Sequence, residues 1–133
     1  MIRENGFTII ELLMVIVIMG FLFSTVLPIS YNLYCSYKTS LSANEAMLFI
    51  SGVRREAFVY SERKVVASQD SDLLVDGEKK AIKGVRVHIP NPIVFYPNGS
   101  SSGGVISLLI GEDNYKLEVR SPLGDLSLMK SAV

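Results

Sequence analysis

Polar and apolar positions fall into two regimes along this chain of 133 residues. After Glu11 the sequence is apolar to Ile29, interrupted only by Ser24 and Thr25, and no charge appears between Glu11 and Lys38. About 20 apolar residues are enough to cross a bilayer as a helix, so this run can span. Beyond Lys38 the pattern turns amphipathic. Ala43, Ala46, Met47, Ile50, Val53 and Ala57 recur at three- and four-residue spacing and share one helical face, while Glu45, Arg55, Glu56 and Glu62 lie mostly elsewhere. The spacing predicts a helix from Phe7 to about Arg63 whose second half turns this stripe to a core. Alanines on the stripe let a sheet approach closely. Gly20 costs about 1 kcal/mol relative to alanine in a helix interior, and Pro28 roughly 3 kcal/mol in water. In a membrane the hydroxyls of Ser24 and Thr25 can take up freed backbone groups, so the helix is expected to bend at Pro28 and continue.

The remainder reads as short strands. Val65-Val66-Ala67 is brief, Gln69 to Lys80 is polar with an Asp76-Gly77 turn signal, and Val85 to Ile89 alternates strictly, as a half-buried strand does. Ile93 to Tyr96 sits among Pro90, Pro92 and Pro97, followed by the glycine- and serine-rich stretch Asn98 to Gly104. Val105 to Ile110, Tyr115 to Arg120 and Leu126 to Leu128 complete the set. The expected fold class is α+β: one long helix laid on a small antiparallel sheet, with no repeat and no interdomain linker.

Composition adds limits. Lys+Arg and Asp+Glu are equal at 13 each, whereas nucleic-acid binders usually show a basic excess, so no nucleic-acid partner is expected. Hydrophobic residues make up 49%, but the surplus lies in the first 30 positions and the rest has the mix of a soluble domain. Cys35 is the one cysteine, which rules out an intrachain disulfide and reads as a small packing residue. An ordinary secretory signal has its apolar region before the cut, whereas here only Met1 to Gly6 precede the apolar run.

A carboxylate at mid-membrane costs roughly 2.5 to 3.5 kcal/mol on insertion scales. Glu11 therefore calls for a positive partner, the nearest being an amine close by in the chain or on a neighbouring copy. Gly6-Phe7-Thr8-Ile9-Ile10-Glu11-Leu12 resembles the processing site of type IV pilins and of the pseudopilins of type II secretion. The resemblance implies a prepilin peptidase cut between Gly6 and Phe7 on the cytoplasmic face and N-methylation of Phe7. It also implies that Glu11 pairs with the N-terminal amine of a neighbouring subunit during assembly. Gly20 to Pro28 corresponds to the segment in which family filaments loosen their helix, so these two residues stand as a hinge. Phe95-Tyr96-Pro97-Asn98-Gly99, Val105 to Leu108, Tyr115 to Arg120 and Gly124 resemble the GspH/FimT family of H-type minor pseudopilins and related minor pilins. DNA-binding members tend to end in a glycine-arginine motif, but here Asp125 follows Gly124.

The other constellations point to bland roles. Asp70, Asp72, Asp76 and Glu78 lack the EF-hand spacing and adjoin Lys79 and Lys80, which suits a solvated charged loop better than a calcium site. Asn98 to Gly104 lacks the lysine and helix entry of a P-loop and reads as a mobile strand connection. His88 should face outward with Arg86, and one histidine with one cysteine makes no catalytic set. Arg54, Arg55, Arg63 and Lys64 alternate with Glu56 and Glu62, which suggests helix-surface ion pairs.

The expectation is thus a leader at 1–6, a membrane and assembly half-helix at 7–30, an amphipathic half at 31–63 and a β-rich domain at 64–133. No catalytic residue, metal or cofactor is expected. The resemblance implies a non-enzymatic minor pseudopilin of a type II secretion system or, alternatively, a minor pilin of a type IV pilus. The implied partners are the prepilin peptidase, other pseudopilins or pilins, an inner-membrane assembly platform and membrane lipid. The implied location is the inner membrane, single-pass, with the N-terminus cytoplasmic and the domain periplasmic, and then the filament.

Overall fold

The computed structural model describes residues 6–131; Arg3, Glu4 and most of the expected leader lie outside the described residues. The apolar run and the amphipathic stripe form one helix, α1, Ile9–Val59. It passes Gly20 and Pro28 without a break. The Thr25 hydroxyl donates to the carbonyls of Leu22 (3.0 Å) and Phe21 (3.5 Å). Neither is the Ser24 carbonyl that Pro28 leaves without its donor, so Thr25 does not provide the expected compensation. α1 ends at Val59, short of Arg63. Ser61 takes a left-handed φ of 54°, its N–H reaches the Phe58 carbonyl (3.3 Å), and the Glu62 N–H reaches that of Ala57 (3.0 Å). That pair of bonds is the Schellman arrangement, here with serine where glycine is usual.

The chain divides into two units, Met1–Tyr37 and Lys38–Val133. In the second unit the strands are β1 (Lys64–Gln69), β2 (Asp72–Val75), β3 (Glu78–Lys80), β4 (Arg86–His88), β5 (Ile93–Phe95), β6 (Gly104–Ile110), β7 (Asp113–Arg120) and β8 (Asp125–Ser131). They form two antiparallel sheets rather than one, ordered β3-β2-β1-β5 and β4-β6-β7-β8. The polar segment read as a loop is a hairpin pair. Asp70 and Ser71 connect β1 to β2, and Asp76-Gly77 connects β2 to β3, all four with φ between 52° and 84°. Two consecutive positive φ values are what a type I′ turn requires, and they match the twist of the flanking strands. Between the sheets, the Val87 N–H bonds the Ser71 carbonyl (2.9 Å) and the Ile89 N–H bonds the Ser68 hydroxyl (2.8 Å).

Alternation decides the core. Ala43, Ala46, Ile50, Val53 and Ala57 of α1 are buried, as their spacing predicts, against Val66, Leu73, Ile93 and Phe95 of one sheet and Val87, Ile106, Leu108, Leu117 and Val119 of the other. Arg86 and His88 face outward on β4 between buried Val85, Val87 and Ile89. The Asn98–Gly104 stretch is pinned rather than mobile. Ser101 is 3% exposed, its N–H bonds the Pro122 carbonyl at 2.7 Å, and Val94 and Ser102 exchange bonds of 2.9 Å. Gly104 has φ 156°, and a Cβ there would lie 2.7 Å from the Ile93 side chain, so close approach at this point requires glycine.

Deleting buried methylenes costs roughly 2 to 5 kcal/mol, whereas an exposed truncation stays within about 0.5 kcal/mol. Ile50→Ala should therefore destabilise the chain by that larger amount, and Leu48→Ala, at an exposed neighbouring position, should be near neutral. Denaturant titration of both variants in detergent micelles checks this. Equal costs would mean that the stripe does not pack as described.

Candidate functional site

Gly6, Phe7 and Thr8 precede the helix and have no regular secondary structure. The Gly6-Phe7 bond is accessible, with Phe7 74% exposed. A Cβ on Gly6 would meet nothing within 4 Å. The fold therefore makes no demand for glycine here.

Thr8 is the helix N-cap, a role that sequence reasoning missed although Thr-x-x-Glu is the visible signature of a capping box. Its carbonyl accepts the N–H groups of Glu11 (3.1 Å) and Leu12 (3.2 Å), and its hydroxyl accepts the Glu11 N–H at 3.4 Å. Glu11 thus occupies the third helical position, where a carboxylate gains typically 0.3 to 1 kcal/mol from the helix dipole. That is less than the mid-membrane cost of the charge. Among the described residues the Glu11 carboxylate has no partner. Gly20 and Pro28 lie in the exposed part of α1, and a Cβ on Gly20 would touch nothing.

The charged positions of the domain are mostly paired with one another. Lys64 bridges Asp76 (3.2 Å) and Glu62 (3.3 Å), and these bonds, Asp76 first, raise its pKa. Lys79 lies near Asp70 and Asp72, Lys80 near Glu78. The acids once weighed for calcium therefore face lysines, and no His/Cys/Asp/Glu cluster suited to a metal occurs among the described residues. Of the basic residues set among Glu56 and Glu62, Lys64 makes the expected ion pair with Glu62, whereas Arg54 turns elsewhere. Its guanidinium donates to the Gly124 carbonyl (2.7 Å) and lies 4.0 Å from Asp125.

At the start of the second unit, Thr39 donates to Asp113 (2.8 Å) and lies 3.2 Å from the Tyr115 hydroxyl, which also meets Ser40 at 3.1 Å. Lys130 reaches Asp113 at 2.9 Å and sits over the Tyr115 ring. The Lys130 ammonium, then the Thr39 hydroxyl, hold the Asp113 carboxyl below its ordinary range, and Asp113 in turn raises Lys130. Partners more than 70 residues apart left no local sequence signal.

Residues 1–27 match the model of the prokaryotic N-terminal methylation motif. No curated protein and no solved structure matches the chain. The motif supports the type IV pilin and pseudopilin superfamily, and what it implies is a pilin-like precursor, processing by prepilin peptidase and assembly with other pilins. The motif and the long apolar helix, the one span-competent helix among the described residues, fit membrane anchoring.

A group with a depressed pKa stabilises the fold above its unfolded-state value and loses that contribution as pH falls through its folded value. Asp113 is such a group. Acidification below about pH 4, the ordinary aspartate range, should erode the wild-type chain more than Asp113→Asn, although the variant starts less stable at neutral pH. Parallel denaturation curves at pH 7 and in stronger acid measure the difference. Equal acid sensitivity would remove Asp113 from this role.

Proposed function

We propose that this chain is a non-enzymatic minor pseudopilin of the H type in a type II secretion system. It is cut between Gly6 and Phe7, methylated on Phe7, and built into the pseudopilus through α1. The observation that carries this is the methylation motif, whose junction lies in the non-helical residues just before the N-cap of a helix able to span. In the precursor, α1 holds the protein in the inner membrane with the N-terminus cytoplasmic and the β domain periplasmic. On assembly, the Glu11 carboxylate neutralises the Phe7 amine of a neighbour, and Gly20 to Pro28 is the segment that yields.

The choice of secretion over a DNA-handling type IV pilus rests on charge. Where DNA-binding minor pilins tend to place an arginine, this chain has Asp125, beside Arg54, and the net charge is zero. Duplex DNA should accordingly bind no more tightly than about 1 to 100 μM, the range of non-specific phosphate contacts. Tight, salt-dependent retardation of DNA would transfer the chain to the minor pilins of a type IV pilus.

Mass spectrometry of membrane-purified protein should find N-methyl-Phe7 at the N-terminus, and an intact Met1 start beside an active prepilin peptidase would overturn the assignment. Glu11→Leu separates two roles. Simple insertion is not impaired when an apolar side chain replaces a charge, whereas a filament loses one member of a buried pair, typically about 3 to 5 kcal/mol. The variant should accumulate in the membrane and be cleaved normally while its crosslinking to other pseudopilins falls sharply. Normal crosslinking at normal abundance would show that Glu11 has no pairing role in this chain.

A further inference from the structure

Three of the six tyrosines, Tyr31, Tyr34 and Tyr37, follow directly on the apolar run. At 100° per residue they fall within an arc of about 120° on α1, and they are 69%, 63% and 67% exposed. They belong to the unit Met1–Tyr37 rather than to the packed domain, so no core explains them. Lys38, the next residue, is the first charge after Glu11. A tyrosine has an apolar ring and a polar tip, and such side chains collect where hydrocarbon meets headgroups. Distance along the helix adds a second constraint. Glu11 and Tyr31 are twenty positions apart, about 30 Å at 1.5 Å per residue, which equals the hydrocarbon thickness of a bilayer.

We propose that Tyr31, Tyr34 and Tyr37, with Lys38, form a belt seated in the phospholipid headgroup layer on the side opposite Glu11, and that this belt sets the depth of the helix. With the belt at one boundary, Glu11 and the Thr8 cap lie at the other, within reach of water. The carboxylate then waits at headgroup depth in the free subunit and enters an apolar environment only when the helix is drawn into an assembly. This rests on the membrane-spanning reading of α1.

The test uses the full chain in phosphatidylcholine–phosphatidylglycerol vesicles, with Cys35→Ser and single cysteines placed in turn from Val26 to Ser40, the three tyrosines excepted. A membrane-impermeant maleimide is admitted to both faces by freeze–thaw, and the boundary between protected and reactive positions is mapped. With the tyrosines present it should fall near Tyr31 to Tyr34. The triple change Tyr31→Leu, Tyr34→Leu, Tyr37→Leu should move it about one helical turn, three to four residues, towards Ser40, and the matching triple tryptophan change should leave it in place. A boundary that stays within one residue in the leucine variant overturns the belt, as does an equal shift in the tryptophan variant. If the leucine variant keeps its boundary but loses crosslinking to other subunits, the tyrosines are a protein contact instead. Reactivity at every position, with no boundary, overturns the spanning reading itself.

Discussion

The β region of this protein depends on the stripe Ala43, Ala46, Ile50, Val53 and Ala57, because among the described residues neither four-stranded sheet has another helix to cover it. Three alanines keep side-chain bulk low while Ile50 and Val53 fill the space between, so both inner sheet faces converge on one core. Hydrogen bonds then fix the position of the helix along its own axis. Thr39 and Ser40 hold it to Asp113 and Tyr115 of β7, and Arg54 holds it to the Gly124 carbonyl at the β7–β8 turn. Packing sets which face is turned in; the polar ties set where along the helix the sheets attach.

The same helix meets the opposite requirement in residues 9–37. Every described side chain there is exposed, and the apolar ones cover all sides. A helix that is hydrophobic all round is stable only when something apolar surrounds it. α-Helical hydrogen bonding makes that possible, since the backbone is satisfied within the segment. Pro28 is the point where this internal satisfaction is incomplete. Thr25 spends its hydroxyl one turn upstream, so the weak point survives in the isolated chain. Where surroundings change from lipid to neighbouring helices, a site already short of one bond is where the helix gives most easily.

The sequence showed the features that rest on local periodicity. The stripe, the spanning run and the alternation of β4 are each readable from neighbours a few residues apart, and the structure agrees. Asp76-Gly77 reads as the turn it is, but Asp70-Ser71 looks like part of a polar loop, and it too is a two-residue hairpin turn. The division into two sheets was not legible, because it follows from which strands pair across long separations. The Asp113 network was hidden for the same reason. At the N-terminal site the motif residues are plain, and the capping role of Thr8 is legible only in its spacing to Glu11, not in the charge.

That charge is better understood as a question of depth than of presence. At mid-bilayer a lone carboxylate costs several times what the helix dipole returns, and a precursor carrying it there would insert poorly. Glu11 is instead at the third position of a capped helix, where the dipole adds a small favourable term and where, at the depth proposed above, water and headgroups can solvate it. Its position thus suits the proposed role, in which one residue is tolerated in the free subunit and paired in an assembly. An amine brought into the same apolar environment would be equally costly alone, and each charge removes most of the other's penalty. In the proposed assembly, pairing and insertion therefore make compatible demands on one position, provided that the helix sits at the depth its length permits.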